Sequence, residues 1–189
     1  DGVGTDIILP DENGNVLVIE NNPFYSESGG QISDTGLLIL STGEKLNVID
    51  SKKDFVIVES VSDGFKGKEN LSEYKIKGIA KIDFKRRFAI ERNHSATHIL
   101  HEALRRVLGS HVKQLGSLVH NEYLRFDFPH FHKVEDSQIK EIEDMVNSKI
   151  QEEIKVNTDV DISIEEANKI PNVKKFFGDK YGDKVRVVH

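Results

Sequence analysis

The hydrophobic pattern of this chain changes period once, near Lys85-Arg86-Arg87, and the change divides the sequence into two architectures. From Thr5 to about Phe84, short apolar runs alternate with turn residues: Ile7-Ile8-Leu9, Val16 to Ile19, Gly36 to Leu40, Leu46 to Ile49, Phe55 to Val58 and Tyr74 to Ile82. Asp11-Glu12-Asn13-Gly14-Asn15, Ser41-Thr42-Gly43 and Ser62-Asp63-Gly64 separate them, each with residues suited to positive-φ turn positions. This is the signature of a small all-β unit, read as a barrel over residues 1–85. After the basic cluster, Ala96, Ile99, Leu100, Ala103, Leu104 and Val107 recur at helical spacing, with Asn93 as a possible N-cap and Gly109 as a stop near Leu108. Gly116 to Val119 and Tyr123 to Phe128 read as paired strands, followed by a second amphipathic helix from about Ser137 to Ile154. A strand at Val160 to Ile164, a short helix near Glu165 to Lys169 and a last strand at Lys184 to Val188 complete the pattern. The expected fold is α+β: a small N-terminal β-barrel, then a two-layer core over residues 86–189 with helices on an antiparallel sheet.

With 189 residues and 37% hydrophobic content, the chain can bury a substantial core. No apolar run approaches the roughly 20 residues that span a bilayer, and no signal peptide opens the sequence, so no membrane partner is expected and a cytoplasmic location is. There are no cysteines, which leaves the eight histidines as the nitrogen ligands in quantity. A net charge of -6 disfavours nucleic-acid binding by overall charge, although Lys85, Arg86 and Arg87 form a local basic cluster. The first residue is Asp1 and the last three are Val187-Val188-His189, directly after a strand-like run, which reads as a fragment excised from a longer protein.

His94-Ser95-Ala96-Thr97-His98 places two imidazoles one helical turn apart, and His101 follows on the same arc, opposite the apolar stripe. The three are therefore expected to face solvent or a cleft. Two readings stay open at this point: ordinary surface histidines, or a pair of metal ligands. Ser95 stands where a zinc peptidase helix carries its glutamate base, so peptidase chemistry is not indicated.

Five segments carry a family resemblance. Asn22-Pro23-Phe24-Tyr25-Ser26-Glu27-Ser28-Gly29-Gly30-Gln31 resembles the segment that opens the editing domain of alanyl-tRNA synthetases and their free-standing relatives. Arg92-Asn93-His94-Ser95-Ala96-Thr97-His98-Ile99-Leu100-His101 is similar to that family's histidine helix, and His111-Val112-Lys113-Gln114-Leu115-Gly116-Ser117-Leu118-Val119 to the turn after it. Leu124-Arg125-Phe126-Asp127-Phe128 and Phe177-Gly178-Asp179-Lys180-Tyr181-Gly182-Asp183-Lys184-Val185-Arg186-Val187 resemble two further segments, in family order.

The resemblance implies an editing core that hydrolyses tRNA(Ala) wrongly charged with serine or glycine, with the acceptor end of tRNA(Ala) and the rest of a parent synthetase chain as partners. It implies zinc held by His94, His98 and a later C-x-x-x-H that would lie beyond His189. Two imidazoles alone should retain the metal weakly, since zinc usually takes three or four protein ligands. It further implies catalytic roles for Thr97 and Gln114, and substrate contacts at Gly29, Gly30, Gln31 and Arg92. For His101 it implies hydrogen bonding and not ligation. Asp34 is a weaker binding candidate, and Lys85, Arg86, Arg87 and Arg92 could meet acceptor-stem phosphates. Thr97 could instead bond back to the Asn93 carbonyl, and Gly29-Gly30 could be no more than a turn. A threonyl-tRNA synthetase editing domain, a free-standing deacylase and a non-catalytic tRNA-binding module are the competing readings.

Overall fold

The structure, a computed structural model, describes residues 2–8, 16–60, 75–171 and 183–188. The expected turns at Asp11 to Asn15 and Ser62 to Gly64, the strand ends at Leu9 and Tyr74, and most of the Phe177 to Val187 segment lie outside the described residues.

Six strands close into a barrel: β1 (Val3–Ile8), β2 (Val16–Ile19), β3 (Gly36–Leu40), β4 (Lys45–Ser51), β5 (Phe55–Ser60) and β6 (Lys75–Ile82), in the order β1-β2-β5-β4-β3-β6. All neighbours are antiparallel. The alternation that marked the strands sorts their side chains: on β4, Leu46 and Val48 enter the interior while Lys45 and Asn47 face out. Ile7, Leu17, Leu38, Leu46 and Val56 are fully buried there. Each such side chain contributes about 1.5–3 kcal/mol relative to exposure. Phe24, from the loop after β2, joins this core. Gly36 leaves the room: a Cβ there would stand 2.9 Å from Phe24 Cε1 and still closer to the Lys81 carbonyl oxygen.

The loop between β2 and β3 is tied to the barrel by side chains. Asn22 Nδ2 donates to Ser51 Oγ and to the Lys52 carbonyl, both at 3.0 Å. Ser33 Oγ donates to Asp50 Oδ1 at 2.6 Å.

Helix α1 (Phe84–Leu108) leads directly out of β6. It starts nine residues before the expected N-cap. Asp83 is the cap, accepting the Arg86 N–H at 3.0 Å, while Asn93 lies within the helix and donates its amide to the His120 carbonyl at 2.7 Å. Gly109 ends the helix as expected, at φ +117°, with its N–H on the Arg105 carbonyl. β7 (Gly116–Val119) and β8 (Leu124–Asp127) form a hairpin, and α2 (Asp136–Gln151) packs against α1. Ala103, Leu104, Val112 and Ile142 form the second core, with Leu100, Val107, Phe126 and Met145 against it.

β9 (Thr158–Ser163), the single-turn α3 (Ile164–Ala167) and β10 (Lys184–Val188) follow. Among the described residues β9 and β10 pair with each other and β7 with β8, so the antiparallel strands of this half form two separate two-stranded sheets there. The α+β class holds. Two local expectations do not. α2 stops at Gln151, with Glu153 at φ +47° and Ile154 60% exposed. His101, placed by periodicity on the outward arc, is 7% exposed and packs on Phe126 at 5.0 Å between ring centroids. The β7–β8 hairpin covers that side of α1, so the helix is buried on two flanks. Among the described residues no helix is long and apolar enough to cross a membrane.

Candidate functional site

The Ser28 to Gln31 segment folds locally because two glycines can accept positive φ. Gly29 and Gly30 have φ of +60° and +81°, the requirement of a tight hairpin turn, and the Gln31 N–H closes it on the Ser28 carbonyl at 3.0 Å. The turn is stitched to β7: the Val119 N–H donates to the Gly30 carbonyl at 2.7 Å and the Ile32 N–H to the Val119 carbonyl at 3.2 Å. Gly30 lies so close to β7 that a Cβ would be 2.7 Å from the Ser117 carbonyl oxygen and nearer still to Ser117 Oγ. That same Ser117 hydroxyl receives the Gln114 amide at 2.9 Å.

The turn delivers Gln31 to the histidine helix. Gln31 is 5% exposed, and its Oε1 lies 2.7 Å from His94 Nδ1. His98, one turn on, is exposed and stacks on His94 with ring centroids 5.3 Å apart and planes 18° from parallel. The structure thus joins Gly29, Gly30, Gln31, His94, His98 and Gln114 into one connected patch between α1 and β7. Thr97 is on the same stretch of helix but buried, its hydroxyl donating to the Asn93 carbonyl at 2.8 Å. Its oxygen keeps acceptor capacity alone. Arg92 is exposed and stands about 200° round the helix from His94, away from this patch.

The basic cluster divides. Arg87 donates through Nε to Asp34 Oδ2 at 2.8 Å, pairs again with it through Nη2, and reaches the Pro23 carbonyl at 2.9 Å. Arg86 donates to the Ser33 carbonyl at 2.6 Å. Asp34, 1% exposed, also takes the Tyr25 N–H at 2.7 Å. Arg86, Arg87 and Asp34 therefore clamp the barrel loop to α1 and do not offer themselves to phosphates, while Lys85 stays exposed. The sequence leaves these residues open between phosphate contacts and a solvated basic helix start, because nothing local in it pairs Asp34 with an arginine 53 positions away.

Two further residues bear on the patch. Arg186 is exposed on β10, at a bulge where it opposes both Val160 and Asp161, the latter at φ +58°. Such bulges re-aim side chains. Its charge reaches both His94 and Tyr25. Burial, and after it the Arg186 guanidinium, hold His94 below the ordinary imidazole value, which keeps the ring neutral and able to act as a ligand. Burial pushes the Tyr25 hydroxyl up, and that hydroxyl donates to the Ser28 carbonyl at 3.2 Å. Arg186 sat within a quoted motif, yet no residue pattern pointed it at the histidines.

Two imidazoles at i and i+4, one of them with Nδ1 engaged, are a chemically suitable half of a zinc set. Among the described residues no group of three His, Cys, Asp or Glu side chains converges to complete it.

A closed six-stranded barrel clamped to a helix with an i, i+4 histidine pair defines a two-part α+β domain, with its candidate site where the barrel loop meets the helix. No protein-family model matches the chain. Curated proteins do: the alanine–tRNA ligase of Acetivibrio thermocellus is 47% identical over 176 residues, covering 91% of this chain and 19% of that protein. Those of Cytophaga hutchinsonii, 42% identical over 172 residues, and Chlorobaculum tepidum, 43% over 182, cover 91% and 92% of the chain. The chain is thus homologous over most of its length to a segment of alanine–tRNA ligases, and spans about one fifth of the length of these relatives, 19–20%.

Proposed function

We propose that this chain is the editing domain of an alanyl-tRNA synthetase, hydrolysing the aminoacyl ester of tRNA(Ala) mischarged with serine or glycine. The observation that carries the reading is the junction of Gln31, His94 and His98 within segments homologous to alanine–tRNA ligases. The need for such a site is physical. A pocket that accepts alanine cannot strongly exclude glycine, or serine with its extra hydroxyl, so a second, hydrolytic sieve is required.

In this reading His94 and His98 hold zinc together with donors outside the described residues. When bound, the metal would supply Lewis acidity toward the ester carbonyl or an attacking water. The chain's own residues orient the substrate. The Gly29-Gly30 turn lets the terminal ribose approach backbone closely. Gln114, held on Ser117, presents its amide to the ester carbonyl or the water, and the Thr97 oxygen, already donating to Asn93, can accept a hydrogen bond from the serine hydroxyl. Ser95 stands where a zinc peptidase helix carries its glutamate base, and in this reading the ribose hydroxyl next to the ester shares the proton transfer. With a net charge of -6, contact with the acceptor-end phosphates depends on local cations, for which exposed Lys85, Arg92 and Arg186 are available.

The test is deacylation of Ser-tRNA(Ala), Gly-tRNA(Ala) and Ala-tRNA(Ala) by the protein in its native length, with and without a chelator. Selective, chelator-sensitive hydrolysis of the first two is expected. Replacing the neighbouring ribose hydroxyl with hydrogen should slow it sharply. Well-folded, zinc-loaded protein that leaves all three esters intact refutes the assignment in favour of a tRNA-binding module.

A further inference from the structure

Gln31 does more than take part in the patch. Its backbone is fixed by the turn closure on Ser28 and by a parallel bridge to Val119, and its side chain is almost wholly buried. The atom facing His94 Nδ1 at 2.7 Å is the carbonyl oxygen, which has no proton to give. With the oxygen in this place, the contact is a hydrogen bond when the ring proton sits on Nδ1.

A neutral imidazole carries one ring proton, so placing it on Nδ1 leaves the lone pair on Nε2. We propose that Gln31 is the positioning residue of the histidine pair: by accepting Nδ1–H it fixes the His94 tautomer and ring orientation that make Nε2 the metal donor. This rests on the editing reading above, and deepens it by giving Gln31 a role through His94 in place of a substrate contact. The opposite amide orientation would have Gln31 donate to Nδ1 and move the ring proton to Nε2, closing the ligand position.

The Gly-Gly turn acquires a reason in the same argument. A residue with a Cβ at position 30 would be driven off Ser117, and the displacement would pass directly to Gln31. Since Ser117 also receives Gln114, one short loop sets both the histidine tautomer and the placement of the amide nearest the reacting ester.

Outer-shell partners of metal-bound histidines typically change metal affinity 10–100-fold, roughly, when removed. The test uses Gln31→Met, which keeps the volume and removes the acceptor, and Gln31→Glu, which restores one. In this chain, nitrogen-15 correlation spectra of the His94 ring should show Nδ1–H in the parent and in Q31E, and a shift toward Nε2–H in Q31M. In the native-length protein, competition titration with zinc should show affinity falling about 10–100-fold in Q31M and recovering in Q31E. Matched circular dichroism spectra verify that each variant folds. An Nε2–H tautomer in the parent, or unchanged zinc affinity in Q31M while His94→Ala loses zinc, overturns the role of Gln31. Zinc binding insensitive to both H94A and Q31M overturns the metal reading itself, and with it the purpose assigned to the tautomer.

Discussion

Replacing Asp34 with alanine strands the guanidinium that fastens the barrel loop to α1. Asp34 is 1% exposed and accepts three hydrogen bonds, from Tyr25 N–H, Arg87 Nε and Arg87 Nη2. The Arg87 side chain is 20% exposed and keeps the Pro23 carbonyl and the Phe84 ring, whose centroid is 5.7 Å away, when the carboxylate is gone. Removing one partner of a buried pair costs about 3–5 kcal/mol, most of it the uncompensated charge. For a domain of this size about 2–4 °C of melting temperature accompanies each kcal/mol, so D34A should melt roughly 6–20 °C lower. The double variant D34A/R87M removes the stranded charge as well, and should be more stable than the sum of the two single losses by about 2–3 kcal/mol. Thermal and urea unfolding followed by circular dichroism, run as a double-mutant cycle, measures this. A D34A loss below about 1 kcal/mol, or a coupling energy near zero, refutes the clamp.

Gly30→Ala should destabilise by at least about 2 kcal/mol, combining a left-handed φ with the close approach to Ser117, whereas Gly43→Ala, at φ +99° with nothing within 4 Å of its Cβ, should lose only about 1–2 kcal/mol; equal losses in urea melts would deny the contact with β7. His94 should titrate below the ordinary 6.5, and Arg186→Gln should raise that value part of the way back, because burial, the larger cause, remains; ring-proton shifts followed against pH read both, and an unmoved titration removes Arg186 from the patch. Since the depressed group takes up its proton later in the folded than in the unfolded protein, its contribution to stability is full above pH 6.5 and is lost as pH falls through the folded value, which unfolding at pH 7 and pH 5 compared with H94A detects.

The barrel was legible because its strands bury alternate residues against one interior, and the period-2 pattern holds in β4 from Lys45 to Val48, before the register shift at Asp50. Helix α1 was legible only over its second half. Its first turns carry exposed Phe84 and Phe88 and bury Ile90, so no stripe marks them, and Asn93 imitates a cap because its side chain ordinarily competes with helical backbone. Here that side chain is spent on His120. His101 was misplaced for a related reason: a single amphipathic stripe presumes one buried face, and α1 is covered by α2 on one flank and by the β7–β8 hairpin on another. The histidine pair was visible in its helical spacing and the glycine turn in a family resemblance, but their meeting through Gln31 is a contact between positions 63 apart that no local pattern records. The bearing of Arg186 on His94 likewise joins distant parts of the sequence and leaves no local mark.

The clamp and the histidine contact together impose a constraint on length. Asp34 grips Arg87 and Gln31 grips His94, so three residues of loop run alongside seven residues of helix in the opposite sense. Seven helical residues rise about 10.5 Å, and three residues of extended chain reach about 10 Å. The two segments work like the scales of a vernier, agreeing at both ends. Adding one residue to the helix between Arg87 and His94 would advance the imidazole by about 1.5 Å and swing it through about 100°, out of register with a loop that has no slack to follow. Side chains in this stretch can vary, and the barrel's outer turns can lengthen, but the count from Arg87 to His94 behaves as a fixed gauge.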